Sequence, residues 1–448
     1  METFERKSVF VVGAGRSGMA AVLLMVREGA MVTLVDERPK GDVEKSLGGA
    51  IPPRIAFEHG RMGEKAASEA DLVVLSPGVP LEKLPGEALR RAGVPVWGEL
   101  ELGFRYFRGN VAAVTGTNGK STVTTLLGEM ASRAFKKVFV GGNLGTPFCA
   151  AAPEAYDWGV VEASSFQLEA IDTFRPKVAV MLNLTEDHSD RYRDFDAYAG
   201  AKMAIFRNQG AVDTAVINAD DPEISARAGT IRAEKVPFSL TRLLAEGICL
   251  EGREMVYRNG VSEERYPLEL LRIRGMQNVE NAMAAIAAAR RIGVPPDAVR
   301  EALAAFPGLP HRVEFVRQVR GVSWFNDSKG TNVGAVLKCL EGFSEPVVLV
   351  AGGKDKGVDF LPLREPLRRK ARAAVLFGEA RARMERELAG ATPLASADTL
   401  REAVLRASEI AQPGDVVILS PACSSFDQFR NFEERGEAFR KAVGELPA

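Results

Sequence analysis

Residues 111–125 read VAAVTGTNGKSTVTT, and they combine the residue types and spacing that hold phosphate. An apolar, β-prone run leads into a turn containing Gly116 and Gly119, then Lys120, Ser121 and Thr122, then a segment able to continue as a helix. Glycine lets the backbone N–H groups around Thr117 and Asn118 curl about phosphate oxygens, and the helix N-terminus adds the positive end of its dipole. Lys120 would set a point charge on the β- and γ-phosphates, with the Ser121 hydroxyl on Mg²⁺. Only Thr117 and Asn118 separate the two glycines, so this is a shortened form of the loop. A plain strand-to-helix turn with a surface lysine is the competing reading. The coincidence of strand, glycines, Lys-Ser and helix favours nucleoside triphosphate chemistry.

A second phosphate signal opens the chain. Residues 8–36 read as strand, Gly-rich turn, helix and strand: SVFVV, then Gly13-Ala14-Gly15-Arg16-Ser17-Gly18, then MVTLVD ending at Asp36. By pattern this is a dinucleotide fingerprint with an acid placed for a ribose hydroxyl. Taken literally it points to NAD. The geometry it encodes, a pyrophosphate on a helix N-terminus, suits any nucleoside diphosphate, so the base stays open. A further buried strand, ADLVVLSPGVP, ends in Ser76-Pro77-Gly78 at what would be the ligand-binding edge of a parallel sheet.

Other strand ends carry chemistry too. KVFVGGNLGTPF ends at Asn143, DWGVVEASSFQLE carries Glu162 and Ser164, and PKVAVMLNLTEDHSDRY runs into Asp187-His188. Glu162 is either a hard carboxylate for a Mg²⁺–phosphate cluster or a helix N-terminal acid stabilised by the dipole. His188, one of three histidines, is either a ligand or an ordinary surface imidazole. Lys202 lies among Ala, Met and Ile on the helical pattern DFDAYAGAKMAIF, and is either a snorkelling stem or a perturbed amine. Asn278 and Asn281 share one face near the start of an Ala-rich helix, where they suit an adenine edge and a helix cap equally.

These residues need a scaffold that gathers strand ends on one edge. Strands alternate with helical segments along most of the 448 residues, which predicts an α/β protein of about three domains, each built on a mainly parallel sheet. The crossing near Trp97–Glu99 and the Pro-rich FPGLPHRVEF place boundaries that give 1–98, 99–308 and 309–448: a Rossmann-like unit, a phosphate-loop unit and a second Rossmann-like unit. The last carries polar strand ends at NDSKGTN, AGGKDKG and SPACSSF. With 58 basic and 59 acidic residues, no global field favours nucleic acid or an anionic membrane. Four widely spaced cysteines argue against a zinc cluster and for reduced thiols, and the N-terminus reads as neither signal peptide nor membrane span. The expectation is a cytoplasmic monomer acting on small molecules.

At TGTNGKSTVTT, EASSFQLE, LNLTEDHSDR, PHRVEF, NDSKGTN and SPACSSFDQFRNFEERG the chain resembles, over nearly its whole length, the Mur ligases, ATP-dependent enzymes that extend the peptide of bacterial cell-wall precursors. Some of these motifs are shared with folylpolyglutamate synthetases. The N-terminal unit and the closing motif resemble the branch that adds D-glutamate to UDP-N-acetylmuramoyl-L-alanine. The resemblance implies ATP, two Mg²⁺ ions and an acyl-phosphate intermediate. It also implies that Gly15, Arg16, Ser17, Gly18, Asp36, Arg38, Ser76 and Gly78 hold UDP, displacing the NAD reading, with Asn143 and Ser164 toward the sugar peptide. By the same resemblance Ser121, Glu162 and His188 bind metal, and Lys202 is carbamylated by CO₂ to support the second ion. Asn278, Asn281, Arg312, Asp327 and Lys329 join residues 116–122 on ATP. His188, Thr331, Lys356, Ser425, Phe426 and Phe432 meet the incoming amino acid. A nicotinamide oxidoreductase or an inert nucleotide-binding module would leave Lys120 or the last unit without a role.

Overall fold

The computed structural model describes residues 3–152, 154–188 and 191–447; Ser189 and Asp190 of the LNLTEDHSDR stretch lie outside them. Among the described residues the strands form three sheets, mainly parallel, as the alternation of strands and helices predicts. The first sheet runs in the order Ala56–His59, Met31–Asp36, Ser8–Val12, Leu72–Leu75, Val96–Gly98, all parallel. Its middle strands are β-branched and buried on both faces, as parallel strands flanked by helices must be.

The second sheet has nine strands. Arg108–Thr115 lies between Ala155–Glu162 and Val178–Met181, so the phosphate-loop strand has Glu162 ending beside it on one side and the segment leading to His188 on the other. Val138–Gly142 forms one edge, and a Gly247–Glu251/Glu254–Arg258 hairpin lies toward the other. The third sheet orders Glu314–Val319, Val322–Asn326, Val416–Leu419, Val347–Gly352, Ala371–Phe377 and Leu394–Ser396, parallel except for its first pair.

The chain packs as two compact units, residues 1–266 with 282–302, and residues 267–281 with 303–448. In the first, apolar layers on both faces of the two sheets meet around Leu100, Leu102, Phe148 and Cys149, which pack the segment 99–106 against the turn 148–150. In the second, layers centred on Leu349 and Leu376, and on Trp324 and Phe439, enclose the third sheet.

Candidate nucleotide and ligation site

The phosphate loop is built as its glycines require. Gly116 and Gly119 have φ of +150° and +85°, conformations in which an L side chain is strained. A Cβ at Gly116 would also lie 2.9 Å from the Leu182 side chain, so the loop sits tightly on the next strand. The helix Lys120–Ala134 starts directly after Gly119, with Ser121 and Thr122 buried in its first turn. Asn183 clamps the loop: its Oδ1 accepts the Asn118 N–H at 2.8 Å, and its main-chain oxygen accepts the Thr117 N–H at 2.9 Å. The Thr117 hydroxyl is 2.9 Å from the Tyr198 hydroxyl. Lys120 Nζ donates to the Gly116 and Thr117 carbonyls, each at 2.9 Å.

Lys202 is 2% exposed and donates to that same Gly116 carbonyl at 2.8 Å, over the Tyr198 ring. Burial, reinforced by the nearby Lys120 charge, depresses its ammonium well below the usual lysine range. Of the two sequence alternatives, the perturbed amine is the one found. Glu162 is buried; its Oε1 accepts from Asn143 Nδ2 at 2.7 Å, while its Oε2 has no hydrogen-bond partner among the described residues. His188 takes a left-handed φ of +56°, with its ring 4.7 Å from that of Phe166 and 6.3 Å from that of Tyr198. Lys120, Glu162, Lys202 and the His188 segment thus gather at the carboxyl edge of the second sheet. Asn183, Thr185 and Tyr198 are supporting residues that the sequence reading missed. The LNLTEDH stretch carried a signal for Asn183; Tyr198 had none beyond its place one turn before Lys202.

Among the described residues no group of three or more His, Cys, Asp or Glu side chains could hold a metal alone. Mg²⁺ does not need one, since it keeps several waters and typically takes one or two carboxylates together with substrate phosphates. The unpartnered buried oxygen of Glu162 beside the Ser121 turn fits that donor set.

At the edge of the first sheet, a cavity of about 240 Å³ is lined by Gly13, Asp36, Arg38, Gly78 and Val79, with Glu37, Arg61 and Lys83 at its walls. Asp36 lines this cavity with its carboxylate engaged by the protein's own donors. Its Oδ2 accepts the Ala14 N–H at 2.7 Å and its Oδ1 accepts from Arg38 Nε at 2.8 Å. Although burial raises its pKa, these bonds outweigh it and hold the carboxyl at about 2. Glu37 accepts from both Arg61 and Lys83 at 2.8 Å, and no sequence signal marked these three. The Ser76 turn packs on Gly13, where a Cβ would come within 2.8 Å of the Ser76 Cβ. Arg16 reaches away from the turn and donates to the Gly145 carbonyl at 2.7 Å, in the loop that follows Asn143. Ser164 spends its hydroxyl capping the helix Ser165–Glu169 in a box completed by Gln167.

In the second compact unit, Arg312 lies between His311 and Val313, which have φ of +64° and +49°. Asp327 is buried and accepts the Ser420 hydroxyl at 2.7 Å; burial, against the pull of that hydroxyl and of Arg312, pushes it up to about 7. Lys329 Nζ lies 3.7 Å over the Phe432 ring, and Thr331 follows in the same turn. Lys356 is exposed on the loop after Gly352–Gly353, and that loop is tied to the 423–425 segment where Lys354 bridges Ser424. Ser425 is buried, while Phe426 is 70% exposed. Arg435, unremarked in the sequence, is fully buried and donates to Ser328 and to the Cys423 and Ser424 carbonyls, binding the two loops together. Asn278 donates to the Arg274 carbonyl at 2.8 Å and Asn281 to Asn278 Oδ1 at 3.2 Å, so the two amides serve the start of their own helix.

Three mainly parallel sheets, with a phosphate-binding loop, a buried lysine and a buried carboxylate at one carboxyl edge, define an α/β nucleotide-binding protein of the phosphate-loop class. Family models match the chain in sequence: "Mur ligase MurD-like, N-terminal domain" over 7–98, "Mur ligase middle domain" over 114–289 and "Mur ligase, glutamate ligase domain" over 311–423. The chain is 43% identical to the UDP-N-acetylmuramoylalanine–D-glutamate ligase of Syntrophotalea carbinolica, covering 100% of this chain and 99% of that one. It is 45% identical to the ligase of the same name from Geotalea uraniireducens, covering 98% of each. The chain therefore belongs to the Mur ligase family, whose members are ATP-dependent and use Mg²⁺. In fold it is similar to UDP-N-acetylmuramate–alanine ligase MurC of Thermotoga maritima (21% identity, TM-score 0.60, 98% of this chain and 99% of that one). It is likewise similar to MurF ligase from Thermotoga maritima, solved with ADP (16% identity, TM-score 0.61, 99% of each). No helix among the described residues is long and apolar enough to cross a membrane.

Proposed function

We propose that the protein is the ATP-dependent ligase that joins D-glutamate to UDP-N-acetylmuramoyl-L-alanine in peptidoglycan precursor synthesis. The observation that carries this reading is continuous identity of 43–45% with ligases of that name over 98–100% of the chain. Residues 1–98 hold the UDP-sugar, 99–308 the ATP and 309–448 the amino acid. The enzyme acts as a cytoplasmic monomer.

The alanyl carboxylate is a poor electrophile. Its oxygen attacks the γ-phosphorus of ATP, ADP leaves, and the acyl phosphate so formed is attacked by the D-glutamate amine, which loses a proton as phosphate departs. Two anions must approach in the first step, so charge neutralisation and in-line positioning dominate. Lys120 supplies a cation and the N–H groups of 117–121 supply donors for the phosphates. Ser121 and Glu162, and His188 with a carbamylated Lys202, would hold Mg²⁺, which would supply further positive charge. Arg312, Asp327 and Lys329 serve ATP; Thr331, Lys356, Ser425, Phe426 and Phe432 receive D-glutamate. Carbamylation needs a neutral amine, and a buried lysine with a depressed pKa supplies one.

The test is phosphate release from ATP and Mg²⁺ with UDP-N-acetylmuramoyl-L-alanine, screened over single amino acids. Release that requires D-glutamate is expected. Release that requires L-lysine or meso-diaminopimelate instead would assign another ligase of the family.

A further inference from the structure

Glu99 is a carboxylate with no part in the chemistry above, yet it lies at 1% exposure in the first turn of the helix Glu99–Tyr106. Its Oε1 accepts the Cys149 N–H at 2.7 Å, and its main-chain oxygen accepts the Cys149 thiol at 3.2 Å. Its Oε2 is buried without a hydrogen-bond partner among the described residues. Cys149 belongs to the turn Phe148–Ala150, the far end of the loop 143–147. The near end of that loop is fixed by the second sheet, where the Asn143 N–H donates to the Glu162 carbonyl at 2.9 Å and the Gly142 N–H to the Thr146 carbonyl at 2.8 Å. Arg16 takes the middle of it at Gly145. The loop that presents Asn143 is thus tied to Glu162 on one side, to the N-terminal Gly-rich turn above, and to a buried carboxyl behind.

We propose that Glu99 is a positioning residue that holds the loop 143–147, and through it Asn143, in register for the UDP-linked substrate. The proposal rests on the ligase reading above. Phe148 and Cys149 anchor the base of the loop in apolar packing, and the Glu99 bond to the Cys149 N–H fixes the direction in which residues 143–147 leave it. The carboxyl must also be neutral to stay. Burial, opposed by the bond from the Cys149 N–H, raises its pKa to about 7. The titratable and charged groups on the elements around it are the Cys149 thiol, also pushed up by burial; Glu101, which is turned toward residues 172–174 and Arg105; Glu169, bonded to Arg191 and Tyr192; and Arg16, engaged at Gly145.

The test compares wild type, Glu99→Ala and Glu99→Gln in steady-state ligation at pH 6 and pH 8, varying each substrate. Losing one buried bond should raise KM for UDP-N-acetylmuramoyl-L-alanine about tenfold in Glu99→Ala while KM for ATP changes less than about twofold. Glu99→Gln, which keeps the acceptor and cannot ionise, should restore the wild-type value at pH 6. Wild type should show a rise in that KM between pH 6 and pH 8 as the Glu99 carboxyl ionises, and Glu99→Gln should abolish it. If Glu99→Ala is insoluble, the Glu99→Gln pH comparison decides alone. An unchanged KM in folded Glu99→Ala, an equal loss for both substrates, or a Glu99→Gln pH profile matching wild type would each overturn the proposal. Absence of ligation by the wild type would instead overturn the ligase reading itself.

Discussion

Lys120 and Lys202 donate to one carbonyl, that of Gly116, and this shared acceptor separates their roles. Lys120 is held in the loop by two backbone carbonyls, and in the role proposed above it contributes charge to the transferred phosphoryl, so Lys120→Ala should leave the thermal transition within about 0.5 kcal/mol of wild type, like a substitution outside the core. Ligation should fall by about a thousandfold or more, within what removal of a transition-state charge costs. Near-normal turnover in this variant would remove the central argument. Lys202 is a different case, because a second ammonium beside Lys120 is unfavourable and the buried amine is biased toward its neutral form. Incubation with ¹³C-bicarbonate should give a carbamate carbon resonance that is absent in Lys202→Ala; a wild-type spectrum without it would refute carbamylation.

Glu99 yields a separate, purely thermodynamic expectation. Its folded pKa of about 7 lies above the ordinary glutamate value of 4.5, so its contribution to stability is complete below about pH 4.5 and is lost as pH rises toward 7. Glu99→Gln should flatten the fall in unfolding free energy over that window, by on the order of 3 kcal/mol. Urea unfolding at pH 5 and pH 7.5 measures this directly, and parallel behaviour of wild type and variant would contradict it.

The Gly-rich turns show why strand ends were legible and their supports were not. A turn that must curl around phosphate writes its need into contiguous residues, so Gly13–Gly18 and Gly116–Thr122 could be placed on their sheets from spacing alone. Gly18 is in the helix Arg16–Arg27, where an added Cβ would collide with the Gly13 carbonyl oxygen. Gly18→Ala should therefore destabilise the fold by about 1–3 kcal/mol and weaken UDP-sugar binding without altering Lys120 geometry. Calorimetry with a UDP-sugar titration checks both, and a fully stable, tight-binding variant would show that the turn yields freely. Glu99 and Arg435 were invisible for the opposite reason. Each draws its role from partners distant in sequence, Cys149 for one and Ser328 with Cys423 for the other, and a lone acid or arginine in a helical pattern carries no mark of burial. Asp36 was found at its expected strand end, and its carboxylate also accepts from Ala14 and Arg38, a fact only geometry reveals.

At the scale of the whole chain, the two compact units suggest separable effects on separate substrates. Residues 1–266 with 282–302 carry the phosphate loop, Glu162 and Lys202, so damage there should reach every ligation whatever the amine. Residues 303–448 carry Lys356, Thr331, Ser425 and Phe426, proposed above to receive the amino acid, and substitutions at these four should reach the amino acid before ATP. Lys356 is exposed on a loop joined to the Ser424 segment, an arrangement that leaves its ammonium available to an arriving dicarboxylate at little cost in desolvation. A charge-assisted bond to a carboxylate contributes roughly 1.5–3 kcal/mol. Lys356→Ala should thus raise the KM for D-glutamate about 10- to 150-fold. The KM for ATP and for the UDP-linked substrate should stay within about twofold, a shift of under half a kcal/mol, and because an exposed lysine adds little to packing the thermal transition should not move. Lys356→Arg, which keeps the charge but changes its reach, should recover part of the affinity. Two results would defeat the assignment of this loop to the amino acid: a Lys356→Ala variant with wild-type D-glutamate kinetics, or one whose KM for ATP rises in step with that for D-glutamate. The second would move Lys356 to the nucleotide and leave Thr331 and Ser425 to account for the carboxylates alone.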